Sequence, residues 1–223
     1  MKRGKNYKNA IEKRTDEQMN LEDAVKFVKE NASAKFDESV EVHVRLNIDP
    51  KRGEQAVRGS VVLPNGTGKE VKVAVITEEK ADEAKKAGAD VIGGQELIDK
   101  MKGGDLPDVD VIVASPEMMV KLAPAARVLG PRGLMPSPKT DTVTPNVGAA
   151  VESLKKGKAN FKNDNTANVH QVIGKVSFTQ EQLIENYNAF IDALAACKNE
   201  SHKGKLIANT SICSTMSPAV KIG

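Results

Sequence analysis

The sequence predicts an α/β protein with two domains: a discontinuous α+β domain formed by both chain ends, and an inserted Rossmann-like three-layer α/β domain. Residues 40–48 alternate strictly between apolar and polar side chains, as in a strand with one wet face. Buried strand-like runs then alternate with short helical patterns over 71–122, which favours a parallel sheet covered by helices. Alternation returns after residue 158. We therefore expect the first domain over 1–67 and 158–223, and the inserted domain over 68–157.

The first domain is expected to begin with a helix and two strands. Asn20 is of the residue type that caps helices, and apolar side chains recur at helical spacing after it, which predicts a helix over 21–31. The alternating strand follows, and we expect His43 on its polar side to be solvated. A second strand is expected at 59–63, before a breaker cluster at 64–68.

The inserted segment combines buried strands with short helices. We expect strands at 71–77, 90–92 and 109–114, and helices at 79–87, at 95–102 and from Pro116 onward. Proline at 116 suits the first position of a helix, because the N–H it lacks has no partner there. A loop rich in Gly and Pro over 130–145 precedes a helix at about 146–157.

The returning segment completes the first domain with strands and one long helix. Strands are expected at 159–163, 168–177 and about 205–213. Thr179 and Gln182 have the spacing of a capping box, which predicts that the long helix begins there and extends to about Cys197.

The composition excludes several classes of protein. Aromatic residues make up 3% of the 223 residues and Trp is absent, which strongly disfavours a base-stacking platform for single strands. No apolar run approaches the ~18–20 residues that cross a bilayer, and the basic N-terminus lacks the apolar stretch of a secretory signal. Cys197 and Cys213 favour a reducing compartment over a disulfide scaffold. Cys197 with His202 makes only half of a metal site, so no metal is predicted.

The charge distribution is more informative than the net charge of +3. Lysine and arginine dominate the first fourteen residues, and a second basic run spans 155–162, whereas 77–117 is rich in Asp and Glu. Local basic clusters bind a phosphate backbone even when the whole chain is nearly neutral. The alternative is that each run is only a solvated face.

The sequence predicts no catalytic site and no cofactor. The Gly66–Lys69 stretch resembles a phosphate loop, but Leu63 and Glu70 occupy positions that need glycine and Ser or Thr. The histidines lack the spacing of a metal site or a catalytic triad. His170 lies near basic residues, where it suits a phosphate or ribose contact. A small α/β enzyme remains an alternative that rests on fold analogy alone.

The most specific motif is the segment Val128–Lys139, Val-Leu-Gly-Pro-Arg-Gly-Leu-Met-Pro-Ser-Pro-Lys. It resembles the signature of the universal family of ribosomal protein number one of the bacterial large subunit, the mobile-stalk proteins beside the tRNA exit site. Further segments resemble that family in the same order along essentially the whole chain: Ala34–Val40, Val62–Gly68, Thr142–Val147, Lys162–Asp164, His170–Lys175 and Ser214–Met216.

The resemblance implies a structural ribosomal protein, not an enzyme, in the cytoplasm. The domain of both termini would bind large-subunit ribosomal RNA of the mobile stalk. The inserted domain would face the exit-site tRNA and assist its release. The chain's own messenger RNA is a further partner, whose translation it would repress through a mimic of the ribosomal site. Off the ribosome the chain would be a monomer, without cofactor, metal or membrane.

The resemblance also implies a set of RNA-binding residues from both chain ends: Lys35, Phe36, Ser39, His170, Ser214, Thr215, Met216 and Ser217. In the signature loop, Arg132 and Lys139 are candidates for tRNA phosphate, with loop shaping as the alternative. The residue types agree with an RNA-binding role, because folded RNA is recognised through its shape, its phosphates and the ribose 2′-OH. Short hydroxyl side chains with lysine nearby suit such contacts.

Each RNA-binding residue also has a plain structural interpretation. Phe36 and Met216 are equally suited to a core, Lys35 to a solvated edge, and the hydroxyls of Ser39 and Thr215 to a local turn. Ser217 and Ala167 replace glycines of the family, and glycine allows positive φ or a close approach of RNA to the backbone.

Overall fold

The computed structural model describes residues 4–14, 18–50, 52–78, 80–104, 106–198 and 204–223, without the side chains of residues 53 and 139. It confirms a mixed α/β protein. The helices are α1 Lys5–Glu12, α2 Leu21–Glu30, α3 Ala81–Lys86, α4 Gln95–Lys102, α5 Pro116–Leu122, α6 Ala126–Leu129, α7 Val147–Lys155 and α8 Gln180–Ala196. The strands are β1 Ser39–Leu46, β2 Arg58–Val62, β3 Val73–Ile76, β4 Val91–Gly93, β5 Val111–Ala114, β6 Lys158–Lys162, β7 Asn168–Lys175, β8 Ile207–Ser214 and β9 Val220–Ile222.

The chain divides into two compact units. The terminal unit comprises Met1–Gly68 and Ala159–Gly223, and the middle unit comprises Lys69–Lys158. None of the helices in the described part of the chain is long and apolar enough to span a membrane.

The terminal unit is built on an antiparallel sheet in the order β7-β1-β8-β9. Along β1 the side chains alternate as predicted: Val40, Val42, Val44 and Leu46 are buried, and those between them are half-buried or exposed. The buried face packs against residues of α2 and α8 in one apolar core. The opposite face, called the open face below, carries the polar side chains of β1 and of the strands paired with it.

Two local predictions about helix ends have different outcomes. The capping box of α8 is confirmed, since the Thr179 hydroxyl accepts from the Gln182 N–H and the Gln182 side chain accepts from the Thr179 N–H. Asn20 does occupy the N-cap position of α2, but its side chain makes no capping hydrogen bond. The position was predictable from residue type, whereas the hydrogen bond depends on a rotamer.

A buried asparagine holds the segment that leaves the terminal unit. Asn186 on α8 is fully buried, and its amide donates to the carbonyls of Gly66 and Ile173 while it accepts from the Asn65 N–H. Buried polar groups are stable only when they are hydrogen-bonded, and this one is. It fixes the backbone beside Gly66 and Gly68, which both have positive φ, and the Gly66 N–H donates to the Leu63 carbonyl at 3.0 Å in a turn.

The middle unit has a parallel sheet in the order β4-β3-β5, covered on both faces. One face packs on α4, α5 and α6 through residues such as Ile98, Leu122 and Leu129. The other packs on α3 and α7 through Ala84 and Val151. Consequently all four residues of β3 are buried, as the continuous apolar run predicts.

Two short elements at the chain ends are absent from the sequence prediction. Helix α1 buries only Ala10, and most of its eight residues are polar, so it has few apolar residues to reveal it. Strand β9 has three residues and pairs with β8, with Thr210 opposite Ile222. Such a strand exists because its partner is in place, and three residues carry too little pattern to reveal it.

Candidate RNA-binding site

Two segments from opposite ends of the chain meet at one end of the antiparallel sheet. Val40 of β1 is paired with Ser214 of β8, so Lys35–Ser39, which leads into β1 and includes its first residue, lies beside the Ser214–Ser217 turn that ends β8. The Thr215 N–H donates to the Ser39 carbonyl at 3.1 Å, and the Ser39 N–H donates to the Thr215 hydroxyl, also at 3.1 Å. These contacts join residues 176 positions apart in sequence.

A buried carboxylate organises this junction. Glu38 is 1% exposed, and its oxygens accept from the Ser214 hydroxyl, from the Ala34 N–H at 2.9 Å and from the Met216 N–H at 3.0 Å. Burial raises the pKa of Glu38, but these hydrogen bonds outweigh it and leave the pKa below the ordinary 4.5. The carboxylate is therefore ionised and holds both segments in one arrangement.

The junction presents both apolar and basic side chains to solvent. Phe36 and Met216 are each 57% exposed, which excludes the alternative that either side chain is part of a core. Lys35 is exposed beside Phe36. Lys175 of β7 lies opposite Ser39 and donates to its hydroxyl at 2.9 Å, which adds a second cation.

Ser214 does not fit the prediction of a direct contact. It is 1% exposed, and its hydroxyl donates to Glu38, so it supports the turn from beneath and is not presented to a ligand. The hydroxyl of Thr215, by contrast, belongs to an exposed residue. It has the local role foreseen as an alternative, since it accepts from the Ser39 N–H and donates to the Ser39 carbonyl at 3.4 Å.

His170 lies elsewhere on the open face. It is paired with His43, four residues along β1 from Ser39, which places it about 13 Å from the junction. The His43 and His170 Nδ1 atoms are 2.7 Å apart, and His43 Nε2 is 3.2 Å from the Cys213 thiol. The expectation that His43 is simply solvated is therefore wrong: its partners are 127 and 170 positions away in sequence.

Comparison with known protein families identifies the family of this chain. A model of the Ribosomal protein L1p/L10e family matches residues 28–218, which include every element of the junction.

The chain belongs to the Ribosomal protein L1p/L10e family.

Bacterial relatives named large ribosomal subunit protein uL1 align along nearly the whole chain. The one from Cutibacterium acnes is 50% identical over 224 residues, covering 100% of this chain and 96% of the relative. The one from Mesoplasma florum is 48% identical over 202 residues, covering 91% and 89%. The one from Lactobacillus delbrueckii subsp. bulgaricus is 47% identical over 223 residues, covering 99% and 96%. The enzyme alternative is therefore set aside in favour of a ribosomal protein.

The serine at 217 closes the turn in this member of the L1 family. The Ser217 hydroxyl accepts from the Ser214 N–H at 2.9 Å, and the Ser217 N–H donates to the Ser214 carbonyl at 3.3 Å. Among the described residues other than glycine, only Asp141 and Ala167 have positive φ. Ser217 thus needs none of glycine's conformational freedom, and its side chain adds a hydrogen bond that glycine lacks.

Ala167, the other residue that replaces a glycine of the family, does adopt a positive φ. Its φ is 62°, in the left-handed region that costs an L-residue about 1–2 kcal/mol. The loop before it is tied by Asp164, whose carboxylate accepts from the Thr166 hydroxyl and from the N–H groups of Thr166 and Asn168. These bonds hold the backbone in the strained conformation and lower the pKa of Asp164.

The signature loop lies in the middle unit and is ordered by its own hydrogen bonds. The Ser137 N–H donates to the Thr142 hydroxyl at 2.8 Å, and the Thr140 hydroxyl donates to the Ser137 carbonyl at 3.1 Å. Gly133 has φ 71°, which explains glycine there. Arg132 is exposed, and the side chain of Lys139 lies outside the described residues, as does His202.

Proposed function

We propose that the chain is a structural component of the large subunit of the cytoplasmic ribosome, and that its terminal unit binds ribosomal RNA of the mobile stalk. The observation that carries this proposal is the junction of Lys35–Ser39 with the Ser214–Ser217 turn around Glu38. It offers exposed lysine, hydroxyl and apolar side chains on a rigid frame. Folded RNA is recognised through shape, phosphate and ribose contacts, which such a frame suits.

The RNA-contacting residues follow from exposure and position. Lys35, Phe36, Thr215 and Met216 would touch RNA, and Ser39 would take part with Lys175. Ser217 and Ser214 would shape the turn. His170 would make a separate contact further along the open face. The salt dependence of binding then comes from the lysines, because each phosphate that they neutralise releases a counterion.

The finer role follows the family. The middle unit, as an inserted Rossmann-like domain, would face the exit-site tRNA and assist its release, with Arg132 near its phosphates. Off the ribosome the chain would be monomeric. A site built for the fold of an RNA accepts any RNA with that fold, so a messenger that mimics the stalk site would compete for the junction and have its translation repressed.

Replacement of Thr215 by valine tests the junction. Valine keeps the shape but removes the hydroxyl, so affinity for a stalk fragment of large-subunit ribosomal RNA should fall about tenfold, the effect of one hydrogen bond of ~1.4 kcal/mol. Thermal stability should hardly change, because water replaces the hydroxyl at this exposed position. The measurement is a filter-binding or gel-shift titration at fixed salt.

The matched control is Thr144→Val in the middle unit. The Thr144 hydroxyl also accepts a local backbone N–H, that of Asn146 at 3.2 Å, so the same group is lost outside the junction. It should bind the stalk fragment like the unmodified chain. Undiminished affinity of the Thr215→Val protein would count against the junction as the RNA site.

A further inference from the structure

Four side chains form a continuous line across the open face of the terminal unit. The Cys213 thiol lies 3.2 Å from His43 Nε2, the two histidine Nδ1 atoms lie 2.7 Å apart, and His170 Nε2 lies 3.6 Å from an Asp164 oxygen. The imidazole rings meet edge to face, with centroids 4.9 Å apart. Of the four, the proposed RNA site uses only His170.

The two ends of the line fix the same direction of hydrogen bonding. Burial, with the charge of Glu41, raises the pKa of the Cys213 thiol to about 11, so the thiol keeps its proton and can donate to His43 Nε2. At the other end the hydrogen bonds from Thr166 and Asn168 keep Asp164 ionised, so it only accepts. We assign the proton of neutral His43 to Nδ1 and that of neutral His170 to Nε2, because in these tautomers the thiol donates to His43 and the His170 N–H faces the Asp164 carboxylate.

The bond between the histidines consequently runs from His43 Nδ1–H to His170 Nδ1. An imidazole that uses one nitrogen as acceptor and the other as donor is neutral. In this assignment both rings are neutral. A metal is not the better explanation, because the two nitrogens of His43 face different partners, and no group of three His, Cys, Asp or Glu in the described ranges is arranged to hold one.

Charged groups of both signs surround the histidine pair. Burial and the neighbouring His170 lower the pKa of His43, and Glu41 opposes them. Arg45 is the next residue on the same side of β1, Asp164 faces His170 from the loop before β7, and Lys221 of β9 lies opposite Ser211 beside His43. With the two Nδ1 atoms 2.7 Å apart, two imidazolium rings would repel each other, so we expect the pair to hold one added proton and not two.

We propose that His43 is a positioning residue of the RNA site and that RNA binding at His170 takes up one proton. In that step a solvent proton adds to His43 Nε2, and the shared proton passes from His43 Nδ1 to His170 Nδ1. His43 remains neutral, the thiol sulfur becomes an acceptor, and His170 becomes an imidazolium. A phosphate next to His170 stabilises that cation. This inference rests on the proposed function and adds to it that RNA binding is coupled to the uptake of one proton.

The resting state can be tested without RNA. Nitrogen-15 shifts of the histidine rings in the full chain at pH 8 should show the proton of His43 on Nδ1 and that of His170 on Nε2. Replacement His170→Gln should raise the titration midpoint of His43, since a neighbouring charge is removed. The opposite tautomers, or an unchanged midpoint, would overturn the proposed line.

The coupling to RNA is tested by binding a stalk fragment of ribosomal RNA between pH 8 and pH 6 at constant ionic strength. Uptake of one proton gives at most a tenfold gain per pH unit, and we expect about a tenfold gain over this range. The gain should shrink to about threefold or less in His43→Gln, because the imidazolium loses its charge-assisted bond to His43. It should vanish in His170→Gln.

A Lys35→Gln protein is the matched control, since it should lose affinity equally at every pH. Binding by the unmodified chain that is equally tight from pH 8 to pH 6 would overturn the proton coupling and leave the proposed function intact. Absence of binding at every pH would instead overturn the proposed function. A His43→Gln profile that coincides with the unmodified one would remove His43 from the site.

Discussion

The sheets of the two units differ in how many of their faces are buried. The sheet of the middle unit is buried on both faces, with every residue of β3 inside. The sheet of the terminal unit buries one face against α2 and α8 and leaves the other polar. Only the second arrangement leaves strand side chains available to a large ligand. In the middle unit such contacts must come from loops, such as the one that carries Arg132.

The prediction with the largest expected effect compares Ile112→Ala on β5 with Arg45→Ala on β1. Ile112 is 1% exposed between helices, so its truncation should lower the free energy of unfolding of the middle unit by about 3 kcal/mol. Arg45 is exposed on the open face, and its loss should change the stability of the terminal unit by no more than about 0.5 kcal/mol. Native-state hydrogen exchange measures each unit separately, and equal effects would refute the comparison.

The same contrast explains how far the sequence predicts the fold. Val40, Val42 and Val44 alternate, and the run around β3 is continuous, so the one-sided and two-sided sheets were both predictable from side-chain period. The capping box at Thr179 was predictable because its partner is three residues away. Helix α1 and strand β9 were not, since they are short and depend on tertiary contacts.

The candidate site was less predictable because its bonds are long-range. Glu38 lies in the Ala34–Val40 segment that resembles the family, but the segment does not reveal its role, because its partners Ser214 and Met216 lie 176 and 178 residues away. Residue type alone could not decide whether Phe36 and Met216 were buried, and both are exposed. The partners of His43 were hidden for the same reason. Composition and motif indicate which residues matter, whereas their contacts require the fold.

The second test removes the charge that joins the two chain ends. Glu38→Gln keeps the size of the side chain but directs an amide N–H toward backbone donors, which should lower the stability of the terminal unit by about 2 kcal/mol at pH 7. Because the pKa of Glu38 lies below 4.5 in the folded state, its contribution is complete above pH 4.5 and is lost as the pH falls through the folded value. The difference between the two proteins in chemical denaturation should therefore shrink in acid. A constant difference would show that the charge is not the cause.

The third test compares cations of the two units in RNA binding. Lys35→Gln should reduce the slope of log affinity against log salt by about 0.7–0.9, the value for one phosphate contact. Arg132→Gln, in the signature loop of the middle unit, should leave the slope with an isolated stalk fragment unchanged. Equal losses would mean that the middle unit also binds this RNA.

The smallest effect concerns the backbone, where each unit has one described non-glycine residue with positive φ. Ala167 in the terminal unit has no side-chain hydrogen bond to offset the strain, so Ala167→Gly should stabilise that unit by about 0.5 kcal/mol after the loss of a buried methyl group and the added freedom of the unfolded chain. Asp141 in the middle unit has φ 52°, but aspartate tolerates this region better, and its carboxylate accepts from Lys158 Nζ at 2.8 Å. Asp141→Gly should therefore bring no gain. Thermal and denaturant unfolding of both variants measure whether the free energy of unfolding rises or falls. A rise in Asp141→Gly together with a fall in Ala167→Gly would contradict the prediction that the backbone strain is larger at Ala167.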